Sequence, residues 1–194
     1  MLEMLDHTIR NGSTPTFLYF DLYLYSAYAA HYVYTILGDS MLKHLNTTKM
    51  RRNLKDKLTI KTFPGAKVEE IMHYVQPSLA PISDHVVVHI GTNLAKKDKS
   101  TQLLVEKIST FVQQIKTELP NAKFTISQVI TRADQTDLTT KVSEINAAIS
   151  NLCTENQCGT ISHENIEHKL LNEFGLHLNR LGTTILAKKT LRHI

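Results

Sequence analysis

From residue 31 onward, apolar and polar positions follow two alternating rhythms. Tyr32–Leu37 and Asp84–Ile90 are short runs rich in β-branched and aromatic residues, the pattern of buried strands. Leu58–Phe63 (Leu-Thr-Ile-Lys-Thr-Phe) alternates, Lys123–Ile130 reads as a fourth strand and Gly159–Ser162 as a short fifth. Between them the period lengthens to that of helices. Leu104, Ile108, Phe111, Val112, Ile115 and Leu119 fall on one face of Thr101–Leu119, which Pro120 closes. Leu138, Val142, Ile145, Ile149 and Leu152 form a second stripe. Ala66–Val75 reads as a helix ending before Pro77, and Ser40–Leu45 as a short helix followed by a basic loop. Asn179–Ile194 reads as a last helix with Leu181, Ile185, Leu186 and Leu191 facing inward. Strands alternating with helices predict an α/β fold with a mainly parallel sheet covered on both faces.

The first strand runs into Gly38-Asp39-Ser40, where a glycine permits a sharp turn at the strand's end. A serine there has its hydroxyl at the carboxyl edge of the sheet, where open α/β folds keep their sites. Three other segments complete a constellation: Pro64-Gly65-Ala66, Gly91-Thr92-Asn93 and Leu176-His177-Leu178-Asn179. Acyl transfer needs a nucleophile, a base within hydrogen-bond reach and donors aimed at the developing oxyanion. Ser40 supplies the first and His177 the second. The N–H groups of Ser40 and Gly65 and the Asn93 amide supply the third. Each residue also has a plain reading: Ser40 as a helix cap, Gly65 and Asn93 as turn residues, His177 as a core histidine.

These four segments resemble the signature blocks of the SGNH (GDSL-type) hydrolase superfamily, in order and across roughly residues 32–190. The resemblance implies a flavodoxin-like three-layer α/β/α sandwich with a five-stranded, mainly parallel sheet in the order 2-1-3-4-5. Ser40 and Asn93 would then flank the crevice at the switch point. It also implies a serine ester hydrolase with Ser40 and His177 catalytic and with Ser40, Gly65 and Asn93 forming the oxyanion hole. The wording around the blocks (Leu-Gly-Asp-Ser-Met-Leu-Lys-His-Leu, Phe-Pro-Gly-Ala-Lys-Val) is similar to SGNH-like domains of animal transposable elements.

Two departures weaken the triad. The family's aspartate three residues before the histidine is Phe174 here, and the aspartate after the asparagine is Leu94. Glu173 is the candidate surrogate acid. Loss of the triad acid lowers turnover by up to about 10⁴-fold. The alternative function is therefore a degenerate binding or assembly module on the same fold, of retroelement origin and binding nucleic acid. Of the remaining candidates, Asp39 reads as holding the turn, His89 as packing, and Asn146 as a bridge between core polar groups. His163 and His168, beside Glu164 and Glu167, read as a solvated loop.

Composition adds limits. The 194 residues predict one domain over 31–194 after an N-terminal extension over 1–30. The net charge of +4 and the basic run Lys49, Arg51, Arg52, Lys55 and Lys57 read as a solvated face without the interleaved aromatics of a base-stacking surface. Cys153 and Cys158 have no zinc-like companions and read as reduced thiols of an intracellular, cytoplasmic protein. Six of the seven tyrosines lie between Tyr19 and Tyr34, within an apolar stretch (Thr16–Leu37) about as long as a membrane span. Asp21 and His31 argue against a membrane role. The expected partner is a small acyl ester; no metal or organic cofactor is implied, and the sequence does not fix the oligomeric state.

Overall fold

A computed structural model describes residues 31–52, 54, 56–78, 83–90 and 100–194, with only the backbone of 75–78. The proposed N-terminal extension, Asn93, Leu94 and Lys55 lie outside the described residues. The described chain alternates strands and helices: β1 (Val33–Gly38), α1 (Thr47–Arg51), β2 (Lys57–Thr62), α2 (Val68–Ser78), β3 (His85–His89), α3 (Thr101–Glu118), β4 (Lys123–Ser127), α4 (Thr139–Glu155), β5 (Gly159–Ile161) and α5 (Arg180–Leu191). The strands form one parallel sheet in the order β2-β1-β3-β4-β5. This is the α/β sandwich, and the order, that the SGNH resemblance implies.

Alternating side chains along each strand feed two cores, because a strand's successive residues point to opposite faces. Leu37, Val86, Val88 and Ile126 join Ile71, Phe111, Ile115, Val142 and Ile145 beneath α2, α3 and α4. Ile36, Leu58, Val87 and Ile161 join Met41, Leu42, Met50 and Leu186 on the other face, beneath α1 and α5. In register, Gly38 pairs with His89, His89 with Ser127, and Ser127 with Ile161. The carboxyl ends of four strands thus meet at one edge, immediately before Ser40.

Several expectations need correction. The basic loop after Ser40 contains α1, nucleated by Asn46, whose Oδ1 accepts from Lys49 N at 2.8 Å, and anchored by buried Met50. Arg51 there is no idle surface charge: its Nε donates to the Leu58 carbonyl of β2 at 2.9 Å. The α2 backbone stays helical through Pro77, because in a last turn proline forfeits only one helical bond. Strand β4 stops at Ser127, where Asn146 takes over as partner. Its Oδ1 accepts from Val129 N at 2.8 Å and its Nδ2 donates to Val129 O at 3.0 Å. On α5 Leu186 is buried and Ile185 and Leu191 pack against the core as expected, with Gly182 and Thr190 also buried, whereas Leu181 is 61% exposed. A Cβ on Gly182 would lie 2.2 Å from the Leu170 carbonyl oxygen, so the helix seats through its glycine. No helix among the described residues is long and apolar enough to cross a membrane.

Candidate active site

Ser40 opens a single 3₁₀ turn, Ser40–Leu42, pinned by the buried side chains of Met41 and Leu42. Asp39, not Ser40, caps it: the wholly buried Asp39 carboxylate accepts from Met41 N at 2.9 Å. The serine hydroxyl is left for chemistry. Asp39 N donates to His89 O at 3.3 Å, and Phe63 N to Gly38 O at 2.8 Å, tying the turn to both neighbouring strands.

His177 reaches Ser40 from far along the chain. Its Nε2 lies 3.1 Å from Ser40 Oγ, within hydrogen-bond range. A tight hairpin sets this position. Leu171 and Leu178 bridge antiparallel, and Asn172 N donates to His177 O at 2.7 Å. Asn172 Oδ1 accepts from both Leu176 N (3.1 Å) and His177 N (3.2 Å). Gly175 turns the hairpin at φ +64°, and its carbonyl accepts from Ala133 N at 2.9 Å. Asn179 then caps α5 through Leu181 N and Gly182 N, both at 3.0 Å, while its Nδ2 donates back to the carbonyls of Lys169 and Leu171. Asn172 was missed in the sequence because nothing but its hairpin partners shows its role.

Gly65 is the third corner of a turn from Phe63 to Ala66, closed by Ala66 N donating to Phe63 O at 3.1 Å. Proline at its second position and φ +81° at Gly65 are the marks of a type II turn. Among the described residues a Cβ there would meet nothing within 4 Å, so none of them blocks the Gly65 backbone. Among the described residues, neither the Ser40 N–H nor the Gly65 N–H donates to a protein acceptor.

The acid position differs from the family pattern. Phe174 is 70% exposed. Glu173 is also exposed, and among the described residues no hydrogen bond joins it to His177 or reaches His177 Nδ1. Two carboxylates couple to His177: Asp39 raises the imidazole's proton affinity, and the charge of His177 helps to lower Asp134. Burial outweighs the Asp39 charge, with help from His44, Arg132 and Lys43, and the His177 pKa falls below its usual 6.5. Arg132 also pairs with Asp134 and holds that carboxyl below its ordinary range. Burial thus favours the neutral imidazole, the form a general base requires.

Behind the turn lies a buried polar chain. His89 Nδ1 sits 2.8 Å from Ser127 Oγ, which sits 2.6 Å from His163 Nε2. The expectation of a solvated His163 is corrected: it is 5% exposed, and burial holds its pKa down to about 2. His168 is exposed. A groove of about 640 Å³ between α1 and α5, edged by His44, Met50, Leu178 and Arg180, is lined by neither Ser40 nor His177.

The fold is that of SGNH (GDSL-type) hydrolases of known structure. The chain is similar to an acetyl xylan esterase, AlAXEase, with TM-score 0.72 and 16% identity over 84% of this chain and 99% of that one. It is similar to the lipase/acylhydrolase from Enterococcus faecalis, with TM-score 0.70 and 16% identity over 83% and 94%. A lipolytic G-D-S-L family protein from Veillonella parvula gives TM-score 0.69 and 16% identity over 82% and 96%. At these identities the likeness is one of fold. No protein-family model and no curated protein matches the sequence.

Proposed function

We propose that the protein is a serine ester hydrolase of the SGNH type, working through a Ser40–His177 dyad on a small acyl ester. The observation that carries this reading is the 3.1 Å approach of His177 Nε2 to Ser40 Oγ across 137 residues of chain. His177 takes the hydroxyl proton as Ser40 Oγ attacks the ester carbonyl, and then gives that proton to the leaving alcohol. Water, deprotonated by His177, attacks the acyl carbonyl; the acyl–Oγ bond breaks, the imidazolium returns its proton to Ser40 Oγ, and the carboxylic acid leaves. The Ser40 and Gly65 N–H groups, with the Asn93 amide, hold the oxyanion. Asp39 stabilises the transient imidazolium through space, in the role the family gives to an aspartate at the position of Phe174. A charge acting at a distance serves less well than a carboxylate bonded to Nδ1, so the dyad is slower than a triad.

The test is covalent. A phosphonate ester with a good leaving group should form one adduct, mapped by peptide mass spectrometry to Ser40. Adducts scattered over lysines and tyrosines with none at Ser40 would sink the proposal and favour the binding-module reading, to which the exposed Phe174 lends support.

The pH profile follows from the sign of the His177 shift. With its pKa below 6.5, kcat/KM should be flat near neutrality and fall through a single limb lying below pH 6.5. Asp39→Asn keeps an oxygen for Met41 N but removes the charge that raises the His177 pKa. The limb should move to lower pH, and the plateau should drop because the imidazolium loses its counter-charge. A limb that stays in place would remove Asp39 from the mechanism.

A further inference from the structure

Helix α4 ends in a motif that brings two thiols together at the edge of the sheet opposite Ser40. Gln157 adopts a left-handed conformation at φ 54°. Gln157 N donates to Thr154 O at 3.3 Å and Cys158 N to Cys153 O at 2.9 Å. These are the paired bonds of a Schellman cap, which presses the side chain of its last residue against the residue five positions earlier. Apolar residues usually fill those two places; here both are cysteines. Both thiols are reduced, and Cys158 packs against the core cluster that contains Cys153. Cys153 is buried, and half-buried Cys158 lines a cavity of about 680 Å³ with His85, Lys123, Thr125 and Gly159.

We infer that Cys153 and Cys158 are a redox-active dithiol, a modification site at which a small peroxide closes the pair to a disulfide. Cys158 beside it lowers the Cys153 thiol below its ordinary range, and Cys153 in turn raises Cys158, so the thiolate forms more readily at Cys153. The Cys153 thiolate attacks one oxygen of hydrogen peroxide. An S–O bond forms, the O–O bond breaks and hydroxide leaves, giving the sulfenic acid. Cys158 sulfur then attacks Cys153 sulfur, and the S–O bond breaks. The thiol proton goes with the departing hydroxyl as water. Overall, two thiols lose two electrons and peroxide becomes two waters. The residues belong to the end of α4 and the start of β5, away from the dyad, so the inference stands whether or not Ser40 is a nucleophile.

The test uses the full chain. After exposure to a small excess of hydrogen peroxide, wild-type protein should lose the mass of two hydrogens and refuse iodoacetamide. It should give one cross-linked peptide joining Cys153 to Cys158, and dithiothreitol should reverse all three. Cys158→Ser should stop at the sulfenic acid and take dimedone at Cys153, which wild type should not. Two alkylated thiols after peroxide would overturn the inference, as would dimedone labelling of wild type without the cross-link. Wild type alone decides the first outcome, so a variant that folds poorly does not shelter the proposal.

Discussion

Alanine at position 40 is expected to reduce hydrolysis of a short aryl acetate by about 10³-fold or more, to the rate set by the oxyanion donors and buffer alone. The substitution removes one oxygen and little else. Asp39 caps the turn and Met41 and Leu42 anchor it, so neither support passes through the Ser40 hydroxyl. Fold stability should be nearly unchanged, and the loss should appear in kcat with KM held. The comparison with wild type is needed because surface lysines and histidines accept acetyl groups without any site. A rate shared by both proteins would mean that the dyad geometry is kept but not used, and would leave the binding-module alternative.

The sheet was legible because its signal is periodic: Val86, Val87 and Val88 can be buried on successive sides only in a strand covered on both faces. The proximity of Ser40 to His177 was legible only through the ordered blocks, since no local rule spans that distance. What sequence hid was polar and non-local. His163 reads as surface because its neighbours Glu164 and Asn165 are exposed, yet Ser127, brought beside it by the β4–β5 register, supplies the partner that lets an imidazole be buried. Asn172 and Asn179 look like loop residues, and their work is with backbone groups of one hairpin and one helix start. Asp39 looked like a turn residue and is one, but its charge also faces a histidine that the fold, not the sequence, places nearby.

Gly38→Ala should be strongly destabilising. A Cβ there would lie 2.4 Å from the His89 carbonyl oxygen and 2.6 Å from Leu42 Cδ1. The leucine can rotate; the carbonyl cannot, because it belongs to β3 in register with Gly38 and accepts the Asp39 N–H. Relief requires β1 and β3 to part at their carboxyl ends, at a cost of about 3 kcal/mol. For a domain of this size, that lowers the melting temperature by roughly 6–12 °C. Gly65→Ala is the control with the opposite cause. Among the described residues its Cβ meets nothing within 4 Å, and the φ of +81° penalises it by about 1–2 kcal/mol. Thermal melts of the two variants separate a packing clash from a backbone strain. If Gly38→Ala melts with or above Gly65→Ala, the strand ends are not held as tightly as the Asp39–His89 bond implies, and the Ser40 turn has more freedom than a preorganised nucleophile can use.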